Sequence, residues 1–137
     1  MDYLLDTNAC IALNKGEPAS VRARFRKAVQ AGSQVWVPAV VLYELWYGVA
    51  KSARPKENAE DLATFLAGPV KLLVFGEEDA REAGEVRASL ERMGKPIGAY
   101  DVLIAGQALA RKLTLVTANA KEFGRVKGLV WEDWGRA

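Results

Sequence analysis

At 137 residues, half of them hydrophobic and about a quarter charged, the chain is long enough for one core of ordinary globular composition. Its 19 basic and 17 acidic residues leave a net charge of +2, which neither requires nor forbids a nucleic-acid partner, because local clusters outweigh the sum. With no histidine and Cys10 as the only cysteine, imidazole chemistry, His-dependent triads, zinc hydrolysis and internal disulfides are excluded.

The elements follow in chain order. Met1-Asp2-Tyr3 has no basic lead and no long apolar run, which speaks against a signal peptide. Residues 2–5 read as a short buried strand. Asp6-Thr7-Asn8 resemble helix-capping residues, and a helix follows to Lys15, stopped by Gly16. Pro18 suits the first turn of a second helix reaching about Ala31. Val35-Trp36-Val37 reads as a second strand, and Pro38 opens a helix over about 39–52. Pro55 starts another that ends near Gly68-Pro69.

Val70 to Phe75 reads as the third strand, with the continuous apolar run Leu72-Leu73-Val74-Phe75. Ala80, Ala83, Val86 and Leu90 give helical spacing over about 77–93, broken by Gly94-Lys95-Pro96. A helix over about 99–111, a strand at Thr114–Thr117 and a short last strand at Gly128–Trp131 complete the chain. Strands alternating with helices predict an α/β fold with a parallel sheet covered on both faces, in one domain over 1–137. No run approaches the roughly 18 apolar residues of a membrane span, so the expected location is the cytoplasm.

Three carboxylates occupy positions a core resists. Asp6 ends the apolar run Tyr3-Leu4-Leu5, Glu44 falls mid-helix beside Val40, Val41 and Gly48, and Asp101 leads into Ala105, Ala108 and Leu109. Buried carboxylates are costly unless paired, hydrogen-bonded or bound to a cation. Asp6 could cap its helix and Asp101 could serve a helix dipole, whereas Glu44 has no such local reason. In an open parallel sheet ligands sit beyond the carboxyl ends of the strands, where Asp6 and Asn119 both fall.

The segments Leu4-Leu5-Asp6-Thr7-Asn8, Tyr43-Glu44-Leu45, Gly98-Ala99-Tyr100-Asp101-Val102-Leu103-Ile104-Ala105 and Thr117-Ala118-Asn119-Ala120-Lys121-Glu122-Phe123 resemble, in order and spacing, the motifs of PIN-domain ribonucleases. The ending Gly128-Leu129-Val130-Trp131-Glu132-Asp133-Trp134 resembles the close of the VapC-type toxins among them. The resemblance implies a three-layer α/β/α sandwich around a mainly parallel sheet of four to five strands. It implies a catalytic set of Asp6, Glu44, Asp101 and Asn119, the first three holding Mg²⁺, or Mn²⁺ as a substitute. It also implies a type II toxin that cleaves RNA (tRNA or ribosomal RNA) to halt translation, neutralised by a VapB-type antitoxin, with homodimerisation as a family expectation.

Many family members carry a further Asp where this chain has Asn119, and Glu122 is the nearest replacement or else a solvated helix residue. The carboxylates fit in-line hydrolysis of a phosphodiester leaving a 5′-phosphate and a 3′-hydroxyl, the acids holding metal rather than attacking. Thr7, Asn8 and Thr117 are candidates to orient Asp6 or a water. Lys95, Lys121, Arg125 and Lys127 are candidate phosphate contacts, and Arg22, Arg24, Arg26 and Lys27 form a second basic cluster that fits a solvated helix face. Tyr43, Trp46 and Tyr47 read as core or as an interface. The alternative function is a non-catalytic PIN-like RNA- or protein-binding module; no phosphate-binding loop of nucleotide-binding type is present.

Overall fold

The computed structural model describes residues 1–136. Five parallel strands, β1 (Tyr3–Leu5), β2 (Val35–Pro38), β3 (Lys71–Leu73), β4 (Thr114–Val116) and β5 (Trp131–Glu132), form one sheet in the order β3-β2-β1-β4-β5. The register is fixed by pairs such as Tyr3 with Val35 and Tyr3 with Thr114. Helices α1 (Thr7–Lys15), α2 (Ala19–Gln30), α3 (Ala39–Lys51), α4 (Pro55–Leu66), α5 (Glu77–Arg92), α6 (Ala99–Arg111) and the single turn α7 (Ala120–Phe123) supply the connections and outer layers.

The inner strands explain the sheet. Leu4, Leu5, Val35, Val37, Leu115 and Val116 are buried whichever face they point to, as expected where helices cover both faces of parallel strands. The chain runs outward from β1 in one direction through β2 and β3, then returns to the other side for β4 and β5. Order therefore reverses between β1 and β4. The crevice beyond that junction receives Asp6 and Thr117, the residues that follow the two strands.

The expected elements are present with shifted ends. Pro18 sits just outside α2 as its N-cap, because its extended ψ of 154° does not enter the helix. The third strand is limited to Lys71–Leu73 at the sheet edge, leaving Leu72 and Val74 exposed despite their apolar run. The last strand falls at Trp131–Glu132, beyond the expected Gly128–Trp131, because Gly128 adopts a positive φ of 83° that no strand continues through. Gly16 closes α1 in the left-handed region at φ 75°. Arg22 covers that end by donating to the carbonyls of Leu13 and Asn14, both at 2.9 Å.

Two packing devices lock the fold. Helices α5 and α6 approach so closely that a Cβ on Gly106 meets the Cα and N of Ala83 at 2.5 Å. Gly106→Ala should therefore force the helices apart and cost about 1–3 kcal/mol, visible as a melting temperature lowered by several degrees. The second device is Asp79, fully buried and the hub of a polar clamp. Its carboxylate accepts from Arg111 Nε at 3.0 Å and Arg111 Nη2 at 3.1 Å, from Gln107 Nε2 at 3.0 Å and from the Gly76 amide at 2.7 Å. Gln107 Nε2 also donates to the Val74 carbonyl at 2.8 Å, tying the loop after β3 to α6.

Candidate active site

The site forms where β1 and β4 end. Asp6 is 5% exposed and does two things at once. Its Oδ1 accepts from the Ala9 amide at 2.8 Å, capping α1, and the rest of the carboxylate faces the crevice. Burial pushes its pKa above the usual carboxylate value, the Thr117 hydroxyl and Ala9 amide pull it back, and the charges of Glu44 and Asp133 raise it further. Capping and site membership are thus compatible roles for one side chain. Thr117, wholly buried, aims its hydroxyl at Asp6 while accepting from the Asn119 amide at 2.9 Å.

Glu44 enters from the first half of α3 and is half-buried. The Thr7 hydroxyl donates to its Oε1 at 2.8 Å across 37 residues of sequence, binding α1 to α3 at the mouth of the site. Asn8 lies exposed in the first turn of α1. Asp101 enters from the first turn of α6. Its carboxyl is pushed up to about 7 by burial first, then by a hydrogen bond and charge from Glu122, and finally by the charges of Asp6 and Glu44. A carboxyl in that state marks a place where several negative charges meet without compensation.

Asn119 and Glu122 have separate positions in this cluster. Asn119 caps the short turn α7, its Oδ1 accepting from the Glu122 amide at 3.4 Å, and its Nδ2 donates to Glu122 Oε2 at 2.9 Å. Glu122, not Asn119, shares a hydrogen bond with Asp101. The sequence left the two as alternatives for a fourth acidic position; Asn119 bonds to Glu122, and Glu122 is the one that raises Asp101. Asp133, close enough to raise Asp6, was not among the expected site residues. The signal for it was present in Trp131-Glu132-Asp133-Trp134, directly after the last strand.

The basic residues are less well gathered. Arg125 donates to the Pro96 carbonyl at 3.2 Å. Together with Lys127 it lines a cavity of about 170 Å³ shared with Glu82 and Glu85, away from the acids. Lys95 and Lys121 are exposed. In the other basic cluster, Arg22 is used on the end of α1 and Arg24 pairs with Glu132 at 3.3 Å. Tyr43, Trp46 and Tyr47 are not core: they are 55%, 42% and 57% exposed.

The donor set is entirely oxygen, which suits a hard divalent cation. Among the described residues no three carboxylates are already drawn into one coordination sphere. Glu44 leans to Thr7, Asp6 to Ala9, and Glu122 to Asn119 and Asp101.

The chain is similar to known proteins along nearly its whole length. The PIN domain family model matches residues 3–129. The chain is 41% identical to the tRNA(fMet)-specific endonuclease VapC of Shigella flexneri over 98% of both chains. It is 38% identical to ribonuclease VapC2 of Rickettsia felis over 99% of this chain and 100% of that one. Among solved structures, VapBC2 from Rickettsia felis bound to a DNA fragment from their promoter superposes with a TM-score of 0.92 at 36% identity, covering 98% of this chain and 99% of the other. The match of the family model to residues 3–129 and these likenesses along the whole chain show that the chain belongs to the PIN domain family.

Proposed function

We propose that this chain is the toxin of a type II toxin–antitoxin pair, a metal-dependent endoribonuclease that cuts RNA and is neutralised by a VapB-type antitoxin. The observation that carries the reading is that Glu122, Asp6 and Glu44, from separate parts of the chain, all raise the carboxyl of Asp101. The likeness to relatives named as VapC nucleases over nearly their whole length supports it. We assign Asp6 and Asp101 as direct ligands of Mg²⁺, with Mn²⁺ as a substitute, and Glu44 and Glu122 as acids acting directly or through water. A divalent cation in such a site supplies a water of lowered pKa and positive charge opposite the phosphoryl oxygens.

The chain's own residues do the rest. Thr7 fixes Glu44, Thr117 and the Ala9 amide fix Asp6, and Asn119 fixes Glu122, so each acid is held at a defined angle. The products expected are a 5′-phosphate and a 3′-hydroxyl. tRNA is the preferred substrate class, by analogy with the Shigella flexneri relative. A groove of about 750 Å³ leads from Glu44 along α1, α3 and α4, walled by Ile11, Leu45, Leu62 and Phe65. It offers apolar space to an antitoxin segment and an acidic end to a basic side chain on that segment, whose charge would compete with the cation. We place the toxin in the cytoplasm, as one domain that pairs with a second copy. No helix among the described residues is long and apolar enough to cross a membrane.

The test is cleavage of total RNA by the antitoxin-free protein with Mg²⁺, Mn²⁺ or EDTA, with the new ends identified. Discrete cuts that need the cation and bear 5′-phosphates support the reading, whereas 2′,3′-cyclic phosphates sink the mechanism. Cation affinity should also depend on pH. Asp101 is protonated below about 7, and a bound cation must displace that proton. Affinity should fall about tenfold per unit as pH drops below 7 and level off above it. Titration calorimetry with Mn²⁺ between about pH 5.5 and 8 checks this, one released proton being the signature.

A further inference from the structure

Tyr43 and Tyr100 each stand one residue before a site acid, Glu44 on α3 and Asp101 on α6. Their rings meet edge to face, with centroids 5.6 Å apart and planes at 62°, and their hydroxyls hydrogen-bond at 3.3 Å. Both stay open to solvent, 55% and 45% exposed. Behind Tyr100, α5 and α6 leave a cleft of about 500 Å³ walled by Phe75, Ile97 and Leu103.

An acidic site has a difficulty with RNA, because its carboxylates repel the phosphates they must approach. Arg125 is bonded to the Pro96 carbonyl, and the exposed Lys95, Lys121 and Lys127 offer phosphate contacts that do not hold a base. Stacking of a base on an aromatic ring is uncharged and works beside carboxylates, and single-stranded RNA offers unpaired bases to it. We propose that Tyr43 and Tyr100 form a braced stacking platform for an unpaired base of the substrate RNA next to the phosphate that is cut. This rests on the ribonuclease reading above, which wild-type cleavage tests in the same assay. The hydroxyl-to-hydroxyl bond holds the two rings in one orientation, and the cleft beyond Tyr100 receives the edge of a base turned out of its stack.

The experiment is steady-state cleavage of total tRNA by wild type and by Tyr43→Ala, Tyr100→Ala, Tyr43→Phe and Tyr100→Phe, each sized by light scattering. Each alanine variant should raise KM about tenfold or more while kcat falls far less, and phenylalanine should restore most of the loss because the ring face does the work. The fold-change should be nearly the same at about 50 and about 200 mM salt, unlike that of a lost phosphate contact. Unchanged KM in both alanine variants would overturn the proposal, as would a loss that phenylalanine fails to restore. A loss that tracks a change in molecular mass would also overturn it and assign the pair to a contact between copies.

Discussion

Asp101→Asn should reduce RNA cleavage about a thousandfold and, in the same molecule, raise the melting temperature of the metal-free protein. On the proposed metal site, the activity loss follows from removing one ligand charge beside a cation that would be worth several kcal/mol to the transition state. The stability gain follows from the cluster itself. The Asp101 carboxyl moves from 3.8 to about 7 on folding, through burial first and then Glu122, Asp6 and Glu44. A group raised in the folded state contributes stability below its unfolded pKa and loses it as pH rises through its folded value. Metal-free wild type therefore carries a penalty at pH 8 that it lacks at pH 4.

At about 1.4 kcal/mol per unit the shift bounds that penalty near 4 kcal/mol, and partial exposure screens it to about 2. Asparagine keeps the shape and drops the charge, so the variant should melt about 5–10 °C higher at pH 8. Added Mn²⁺ should stabilise wild type and leave the variant almost unmoved. Asp101 is the cleaner choice over Asp6, which also caps α1 through Ala9. Differential scanning fluorimetry with and without EDTA, beside a tRNA cleavage assay, reads all three outcomes. A variant that melts lower than wild type without metal would show that the acids are not in conflict.

In the sequence Glu44 breaks a local rule, whereas Asp6 and Asp101, which capping and the helix dipole could each explain, gain weight from the motifs around them. Glu44 interrupts a helix rich in Val and Leu. Such violations concentrate where function opposes packing. Direction was the part that could not be seen. Asn119 and Glu122 share a single turn, and three residues of spacing cannot say which side chain reaches Asp101. Likewise Leu72 and Val74 read as buried because burial depends on what lies alongside, and an edge strand has a neighbour on one side only. Tyr43, Trp46 and Tyr47 have core composition and surface positions for the same reason.

Asp79 was hidden most completely, and its loss should have the largest effect on folding. In sequence it closes Glu77-Glu78-Asp79, three acids at a helix start where solvent and the dipole account for them. Its partners Gln107 and Arg111 lie 28 and 32 residues away, on another helix. Burial raises its pKa, but the Arg111 hydrogen bonds, the Gly76 amide, the Arg111 charge and Gln107 together outweigh burial and hold it below the ordinary value. A lowered carboxyl contributes stability above its unfolded pKa and loses it as pH falls through the folded one. Through Asp79, wild type should therefore lose stability only in acid, below about pH 4.

Removing either partner should differ in kind. Asp79→Ala leaves Arg111 able to reach water, since its side chain is 39% exposed, and loses the hub that joins Gly76 and Gln107. The cost should be about 2–3 kcal/mol. Arg111→Leu leaves a carboxylate buried without its cation and should cost about 3–5 kcal/mol at neutral pH, or more than 10 °C in melting temperature. With the guanidinium gone, burial becomes the dominant influence on Asp79 and its pKa rises above the unfolded value. The variant then gains stability through Asp79 as pH falls from about 7 towards 5, a window in which Asp79 contributes no slope to wild type. Urea unfolding across that range compares the two: equal slopes would mean that Arg111 does not hold Asp79 in its charged form, and a steeper gain in the variant that the clamp is electrostatic.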